Sequence, residues 1–149
     1  MNLVVRTAVE EDLPGILHLV HELAHYEKAP EQVTATLDDY INSFRDGVFE
    51  SIVAASDGQI LGTCIFYTTF STWRGNMLWL EDFVVSEKHR GLGIGQQLFD
   101  HFLKIAKERN SALVKWQVLD WNTPAQRFYE RYDAIIEKEW WNCKIMFVQ

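Results

Sequence analysis

No stretch of this sequence stays apolar for the roughly 20 residues that a membrane-crossing helix needs. The opening, MNLVVRTAVEEDLP, turns acidic where a secretory leader would stay apolar, so the chain is expected in the cytoplasm, without a membrane partner. Cysteine is scarce. Cys64 and Cys143 stand far apart in strand-like runs, which predicts buried thiols and argues against a disulfide or a metal pair. Basic residues are outnumbered, 14 Lys and Arg against 21 Asp and Glu, for a formal charge of −7. That balance disfavours nucleic acid and anionic lipid and tolerates small cations. Net acidity is also an ordinary route to solubility, so charge permits a cationic ligand without requiring one. No repeat, low-complexity tract or Gly/Ser/Pro linker interrupts the chain, and a single domain over 1–149 is expected.

What is present is a globular composition, 48% hydrophobic and 23% charged, with six Trp, five Tyr and nine Phe. A chain of this length buries about 70% of the surface that its unfolded form exposes, enough for one core. LVVRTA reads as a short strand. Leu13, Ile16, Leu17, Val20, Leu23 and Ala24 then take the i, i+3, i+4, i+7 spacing of an amphipathic helix, and Glu10 to Asp12 suit its positive end. A weaker helix over 36–45 follows Pro30. FESIVAAS, GQILGTCIFYTTF and NMLWLEDFVV are β-rich, separated by Asp57-Gly58 and by a looser turn from Trp73 to Asn76, the pattern of an antiparallel meander. GIGQQLFDHFLKIAKERN puts Leu98, Phe102, Ile105 and Ala106 on one helical face, and ALVKWQVL reads as a buried strand after it, which implies a parallel crossover. TPAQRFYERY opens on Thr123-Pro124, a cap and first-turn pair, and NCKIMFV reads as a terminal strand. The fold class is α/β, with a central mixed β-sheet flanked by helices.

Two motifs compete for the chemistry. HELAHYE, from His21 to Glu27, contains the His-Glu-x-x-His spacing with which a helix offers two imidazoles to zinc. A zinc hydrolase needs a third protein ligand, and no downstream segment supplies one in a recognisable pattern, so no metal is expected. HRGLGIGQQL, from His89 to Leu98, instead hands a strand over to a helix through Gly91, Gly93 and Gly95. Alternate glycines leave backbone N–H groups unobstructed, the helix N-terminus adds roughly half a positive charge, and Lys88 and Arg90 flank the opening. A phosphate or pyrophosphate suits such a cradle. A Rossmann fingerprint fails because Gln96 or Leu98 stands where glycine is required, and a Walker A loop fails for want of Gly-Lys-Ser/Thr. Tight-turn chemistry alone would also explain these glycines.

Arg90-x-x-Gly93-x-Gly95 after LEDFVV resembles the acetyl-CoA pyrophosphate loop of the GNAT N-acetyltransferases. The element order, βαα and then βββαβαβ, resembles that family's acyl-CoA N-acyltransferase fold, and WNTPAQRFYERY is similar to its asparagine-then-tyrosine segment. ELAHYE, EQV, W-x-G, LEDF-V, RG-GIG, WN-P and FY stand, between Val5 and Phe147, in the order of the diamine (spermidine/spermine) acetyltransferases and their thialysine-preferring relatives. The resemblance implies an acetyl-CoA-dependent N-acetyltransferase that moves an acetyl group directly to the primary amine of a small cation: a diamine, a polyamine, or a thialysine- or lysine-like amino acid. It also implies a homodimer, for which the apolar EWWNCKIMFV is available. Acetylation of a protein N-terminus or lysine side chain stays open. So does an acetyl-CoA-binding module without transfer, although such a module would not need both Glu81 and Tyr129.

By the same resemblance, cofactor binding falls to Arg90, Gly91, Gly93, Ile94 and Gly95, to the backbone of Phe83 and Val85, to Asn122, and to Arg131 at the 3′-phosphate. Asn122 serves as readily as a helix cap, and Arg131 as a solvated surface residue. Tyr129 matches the tyrosine that protonates the departing thiolate, and a core aromatic beside Phe128 is its plainer reading. Glu81 matches the base, acting directly or through water, and Asp82 an acceptor-binding residue; Tyr26, Glu27 and Trp73 complete the acceptor set. A lysine-like amine is only about 0.04% neutral at pH 7, and removing its proton costs roughly 4.6 kcal/mol, so a base and a cation-friendly pocket both help. Strand alternation points Glu81 and Asp82 to opposite faces. Two departures from the family pattern stand out. Asp133 occupies the place of a glycine after the last helix. Ser71-Thr72 precede Trp73 where polyamine enzymes carry an acidic residue, which favours a shorter acceptor.

Overall fold

Five strands form one sheet in the first of two units, Met1–Gln117 and a second from Val118 onward, of a computed structural model that describes residues 1–148. They are β1 (Val4–Thr7), β2 (Glu50–Ser56), β3 (Gln59–Ser71), β4 (Gly75–Val85) and β5 (Leu113–Lys115), in that spatial order. β1 to β4 run antiparallel and β5 joins β4 in parallel, which gives the expected mixed sheet. Asp57 and Gly58 turn β2 into β3 with φ +52° and +76°, the left-handed pair whose twist matches a hairpin.

One face of the sheet carries α1 (Leu13–Tyr26) and α2 (Leu37–Arg45). Leu13, Ile16 and Val20 of α1 bury against Val53 and Ile65, with Tyr40, Ile41 and Phe44 of α2 packed on the same cluster. Asp12, just before α1, closes the short turn that leads into it: its carboxylate accepts from Val9 N–H at 2.8 Å and from the Arg6 guanidinium at 2.7 and 3.0 Å. Thr36 and Asp39 form a reciprocal capping box at the start of α2. The other face carries α3 (Ile94–Glu108), whose Phe102 meets Phe66 at 5.3 Å and whose Phe99 stacks on Phe83 at 5.6 Å. Gly62 lets the start of α3 come close, since a Cβ there would lie 2.8 Å from Leu98 Cδ1 and 3.1 Å from the Val84 carbonyl oxygen.

Four expectations are corrected. β5 covers only Leu113–Lys115 of the ALVKWQVL run, and its residues are half-buried or exposed. A strand persists only where a neighbouring edge accepts its ladder bonds, and β4 pairs with it only from Met77 to Trp79. In the second unit NCKIMFV forms no strand, and Ile145, Met146 and Phe147 stay 84%, 78% and 83% exposed. Its β propensity is a fitness for pairing, and no strand lies alongside to pair with it among the described residues. Cys143 is therefore exposed, whereas Cys64 is buried as expected. The helix of this unit, α4 (Thr123–Glu130), is capped by Asn122 and not by Thr123: Asn122 Oδ1 accepts from Ala125 N–H at 3.3 Å. Asp133 takes the left-handed conformation, φ +56°, expected of the residue standing where relatives have glycine. Among the described residues no helix is long and apolar enough to cross a membrane.

Candidate active site

A one-residue irregularity in β4 decides where its carboxylates point. Asp82 lies opposite Ile65 and Leu80 opposite Phe66, so Glu81 is the extra residue of a β-bulge. Leu80 and Phe83 consequently share the α3 face, through Phe66 and Phe99, while Asp82 shares the α1/α2 face with Ile65. Trp79 and Tyr67, paired across the strands on that second face, both hydrogen-bond Glu81. Glu81 and Asp82 thus sit on one side of the sheet. The expectation of opposite faces fails because the inserted residue cancels the alternation.

Glu81 is exposed and Asp82 half-buried. Trp79 Nε1–H donates to Glu81 Oε1 at 3.1 Å, and the Tyr67 hydroxyl donates to the same oxygen at a long 3.4 Å. Burial pushes the Asp82 carboxyl up to about 6, and the charges of Glu81 and Glu27 push the same way. Glu27, which ends α1, is raised by burial. Tyr40 is raised to about 12, first by burial and then by Asp82 and Glu81. Burial also raises the Tyr67 phenol, and Glu81 adds to the effect. Three carboxylates from α1 and β4 therefore converge beside two tyrosines, and a bound cation would relieve their repulsion. Tyr40, Tyr67 and Trp79 were not singled out in the sequence. For Trp79 the i−2 spacing from Glu81 was the available signal; Tyr40 was masked by the apolar stripe of α2.

The raised Asp82 has a measurable consequence. Its carboxyl binds a proton more tightly in the folded chain than in the unfolded one, so its contribution to stability is fullest below about 3.8 and is lost as pH rises through about 6. Asp12, Glu10 and Glu50 act oppositely, because Arg6, Arg45 and Arg109 hold them below the usual range, and their contribution is lost only at lower pH. Asp82→Asn is expected to raise the melting temperature at pH 7.5 by roughly 2–6 °C, a gain that shrinks as pH falls through about 6 and vanishes only below about 3.8. Thermal unfolding across that range checks it, and a difference independent of pH would refute the assignment.

The resemblance places a cofactor at the other edge of β4. β5 stops opposite Trp79, and among the described residues no strand pairs with that edge beyond it. Ser86 N–H donates to the Leu61 carbonyl at 2.7 Å. Antiparallel alternation then directs the backbone of Val84 and Asp82 to β3 and that of Phe83 and Val85 outward. Gly91 and Gly93 have φ +81° and +80°, and Gly93 caps α3. A Cβ at either would touch nothing within 4 Å, so these glycines serve the turn and leave open space in front of it. The first helical bond runs from Gln97 N–H to Gly93, which leaves the amides of Ile94, Gly95 and Gln96 without a helical acceptor. The Ile94 side chain is core, 1% exposed, so only its backbone can serve a ligand. These features fit a pyrophosphate.

Arg90 bridges the two halves of this site. Its Nε donates to the Val85 carbonyl at 3.3 Å, and its guanidinium lies 5.0 Å over the ring of Tyr26. Glu22, the glutamate of His-Glu-x-x-His, accepts from Glu87 N–H at 3.3 Å and so ties α1 to the turn before the glycines. Among the described residues no three His, Cys, Asp or Glu side chains are grouped to hold a metal. Trp73 is not brought to the carboxylates: it is 82% exposed on the β3–β4 turn, and six strand residues at about 3.3 Å each put it roughly 20 Å from Glu81. In the second unit Asn122 and Tyr129 are buried, 8% and 7% exposed. Tyr129 packs edge-on against Phe128 at 5.6 Å, and the exposed Arg131 places its guanidinium 4.9 Å over the same ring.

Known proteins share both sequence and fold with this chain. The model of the acetyltransferase (GNAT) family matches residues 14–133. A thialysine N-epsilon-acetyltransferase of Bos taurus is 32% identical over 151 residues, covering 93% of this chain and 89% of that protein. The spermidine/spermine N(1)-acetyltransferase-like protein 1 of Homo sapiens is 29% identical, over 88% of this chain and 20% of that one. A crystal structure of an aminoglycoside acetyltransferase from an uncultured soil metagenomic sample superposes with a TM-score of 0.81 at 17% identity, covering 98% of this chain and 97% of that one.

Proposed function

Because the chain belongs to the acetyltransferase (GNAT) family, we propose that this N-acetyltransferase acts as one domain over residues 1–149 and acetylates the primary amine of a small cation. A thialysine- or lysine-like amino acid or a short diamine fits best, with longer polyamines as poorer acceptors. The observation that carries this reading is the cluster of Glu27, Glu81 and Asp82 on one face of the sheet, which the bulge at Glu81 creates. The similarity to a thialysine enzyme over nearly the whole chain supports the amino acid.

Acetyl-CoA, the cosubstrate of the family, supplies the acetyl group as a thioester. Arg90 and the amides around Gly91, Gly93, Ile94 and Gly95 bind its pyrophosphate. The outward backbone of Phe83 and Val85 binds its arm, and the resemblance assigns Asn122 and Arg131 to the cofactor as well. Glu27 and Asp82, with Tyr26 beside them, hold the ammonium. Glu81 takes a proton from it, directly or through water, so that a neutral nitrogen attacks. Tyr129 donates a hydrogen bond or a proton to the leaving thiolate; a phenol near pKa 10 is a weaker acid than a thiol near 8.5, so the hydrogen bond is the larger part. Trp73 belongs to the acceptor set only if a second copy presents it, which a homodimer would do, and the exposed Trp141, Ile145 and Phe147 supply apolar surface for one.

A thiol-release assay over thialysine, lysine, diamines, spermidine, spermine and peptides tests the reading. The highest kcat/KM is expected with thialysine or a short diamine, and a preference for peptides would overturn it. Tyr129→Phe is expected to lower kcat by ~10- to 100-fold with little change in acetyl-CoA KM, as measured by steady-state kinetics. Glu27→Gln should raise the amine KM by about tenfold; an unchanged value removes Glu27 from the acceptor set.

A further inference from the structure

Glu81 occupies a position where a side chain should wander. It is exposed, it is the inserted residue of the bulge, and its charge and that of Asp82 repel each other on the same face. Yet two donors converge on one of its oxygens. Trp79 reaches Oε1 from two residues back on β4, and Tyr67 reaches it from β3, directly opposite Trp79 in the register. Among the described residues Oε2 of Glu81 has no hydrogen-bond partner.

The chemistry of these donors is selective. An arginine or lysine would hold the carboxylate more strongly, but it would compete with the incoming ammonium and make the carboxylate a weaker base. An indole N–H and a phenol O–H carry no net charge, so they orient the carboxylate and leave its charge available. The two donors stand opposite each other in the β3–β4 register, and the paired strands that carry them supply the rigidity that an exposed glutamate lacks.

We propose that Trp79 and Tyr67 are positioning residues for acetyl transfer: they anchor Glu81 through Oε1 so that Oε2 is presented to the amine. The inference rests on Glu81 acting as the base, and the test separates the two. Trp79→Phe and Tyr67→Phe, singly and together, keep the aromatic pair and remove its polar handles. Each is expected to lower kcat by about 3- to 10-fold, the effect of one hydrogen bond, with the larger loss for Trp79 and with acetyl-CoA KM unchanged. In a Glu81→Gln background neither change should lower kcat further, because the residue they act through no longer serves as a base.

Wild-type kcat in the doubly substituted protein would overturn the proposal, as would the same loss with and without Glu81. If Glu81→Gln itself turns over at the wild-type rate, the base assignment is what fails. Should Trp79→Phe not fold, Tyr67→Phe carries the same comparison, since it removes a single oxygen atom.

Discussion

Replacing Glu81 with glutamine is expected to lower kcat by ~100- to 1,000-fold while leaving the acetyl-CoA KM within about twofold of wild type. The substitution keeps size and hydrogen-bonding shape and removes only the negative charge, so the loss reports proton removal from the amine. General bases contribute ~10²- to 10⁴-fold, and the lower part of that range applies because Glu81 is exposed and water can reach the same nitrogen. The deficit should also shrink with pH. As the medium approaches the amine pKa near 10.4, more acceptor arrives already neutral and the base becomes dispensable. Initial rates from about pH 7 to 10 at saturating acetyl-CoA measure this; a deficit of constant size across the range would assign Glu81 to acceptor binding and not to proton transfer.

Phe102→Ala is expected to destabilise the fold by about 3–5 kcal/mol, the usual loss for emptying a large aromatic from a core. Phe102 is 0% exposed, with the rings of Phe66 and Phe99 at 5.3 and 6.1 Å. It therefore links α3 to β3, and through Phe99 and Phe83 to β4. At about 2–4 °C per kcal/mol for a chain of this size, the melting temperature should fall by roughly 6–20 °C. α3 also carries the glycine turn at its N-terminus, so the acetyl-CoA KM should rise more than the amine KM. Denaturant unfolding together with steady-state kinetics checks both effects, and a loss below about 1 kcal/mol would show that the helix is held elsewhere.

Much of this was legible without coordinates. The stripe from Leu13 to Ala24, the weaker helix after Pro30, the Asp57-Gly58 hairpin and the glycines before α3 are local patterns, each contained in a short run of chain. The terminal strand was not legible, because apolar alternation in NCKIMFV states only that the segment could pair. Nor was the cap of α4: Asn122 and Thr123 are both good caps, and only the hydrogen bond to Ala125 distinguishes them. The side of the sheet taken by Glu81 was misread for a related reason. Alternation along LEDFVV assumes an uninterrupted ladder, and the interruption depends on how Ile65 and Phe66 of β3 meet Asp82 and Leu80.

By itself the sequence determined the family, the order of the elements as far as α4 and the glycine turn before α3, since each is written in the spacing of neighbouring residues. Only the tertiary structure decided that Glu81, Asp82 and Glu27 face one another beside Tyr40, Tyr67 and Trp79. The reason is physical: a bulge is a property of two strands in register, and the pairing of distant residues is settled by packing, not by any one segment's own preference.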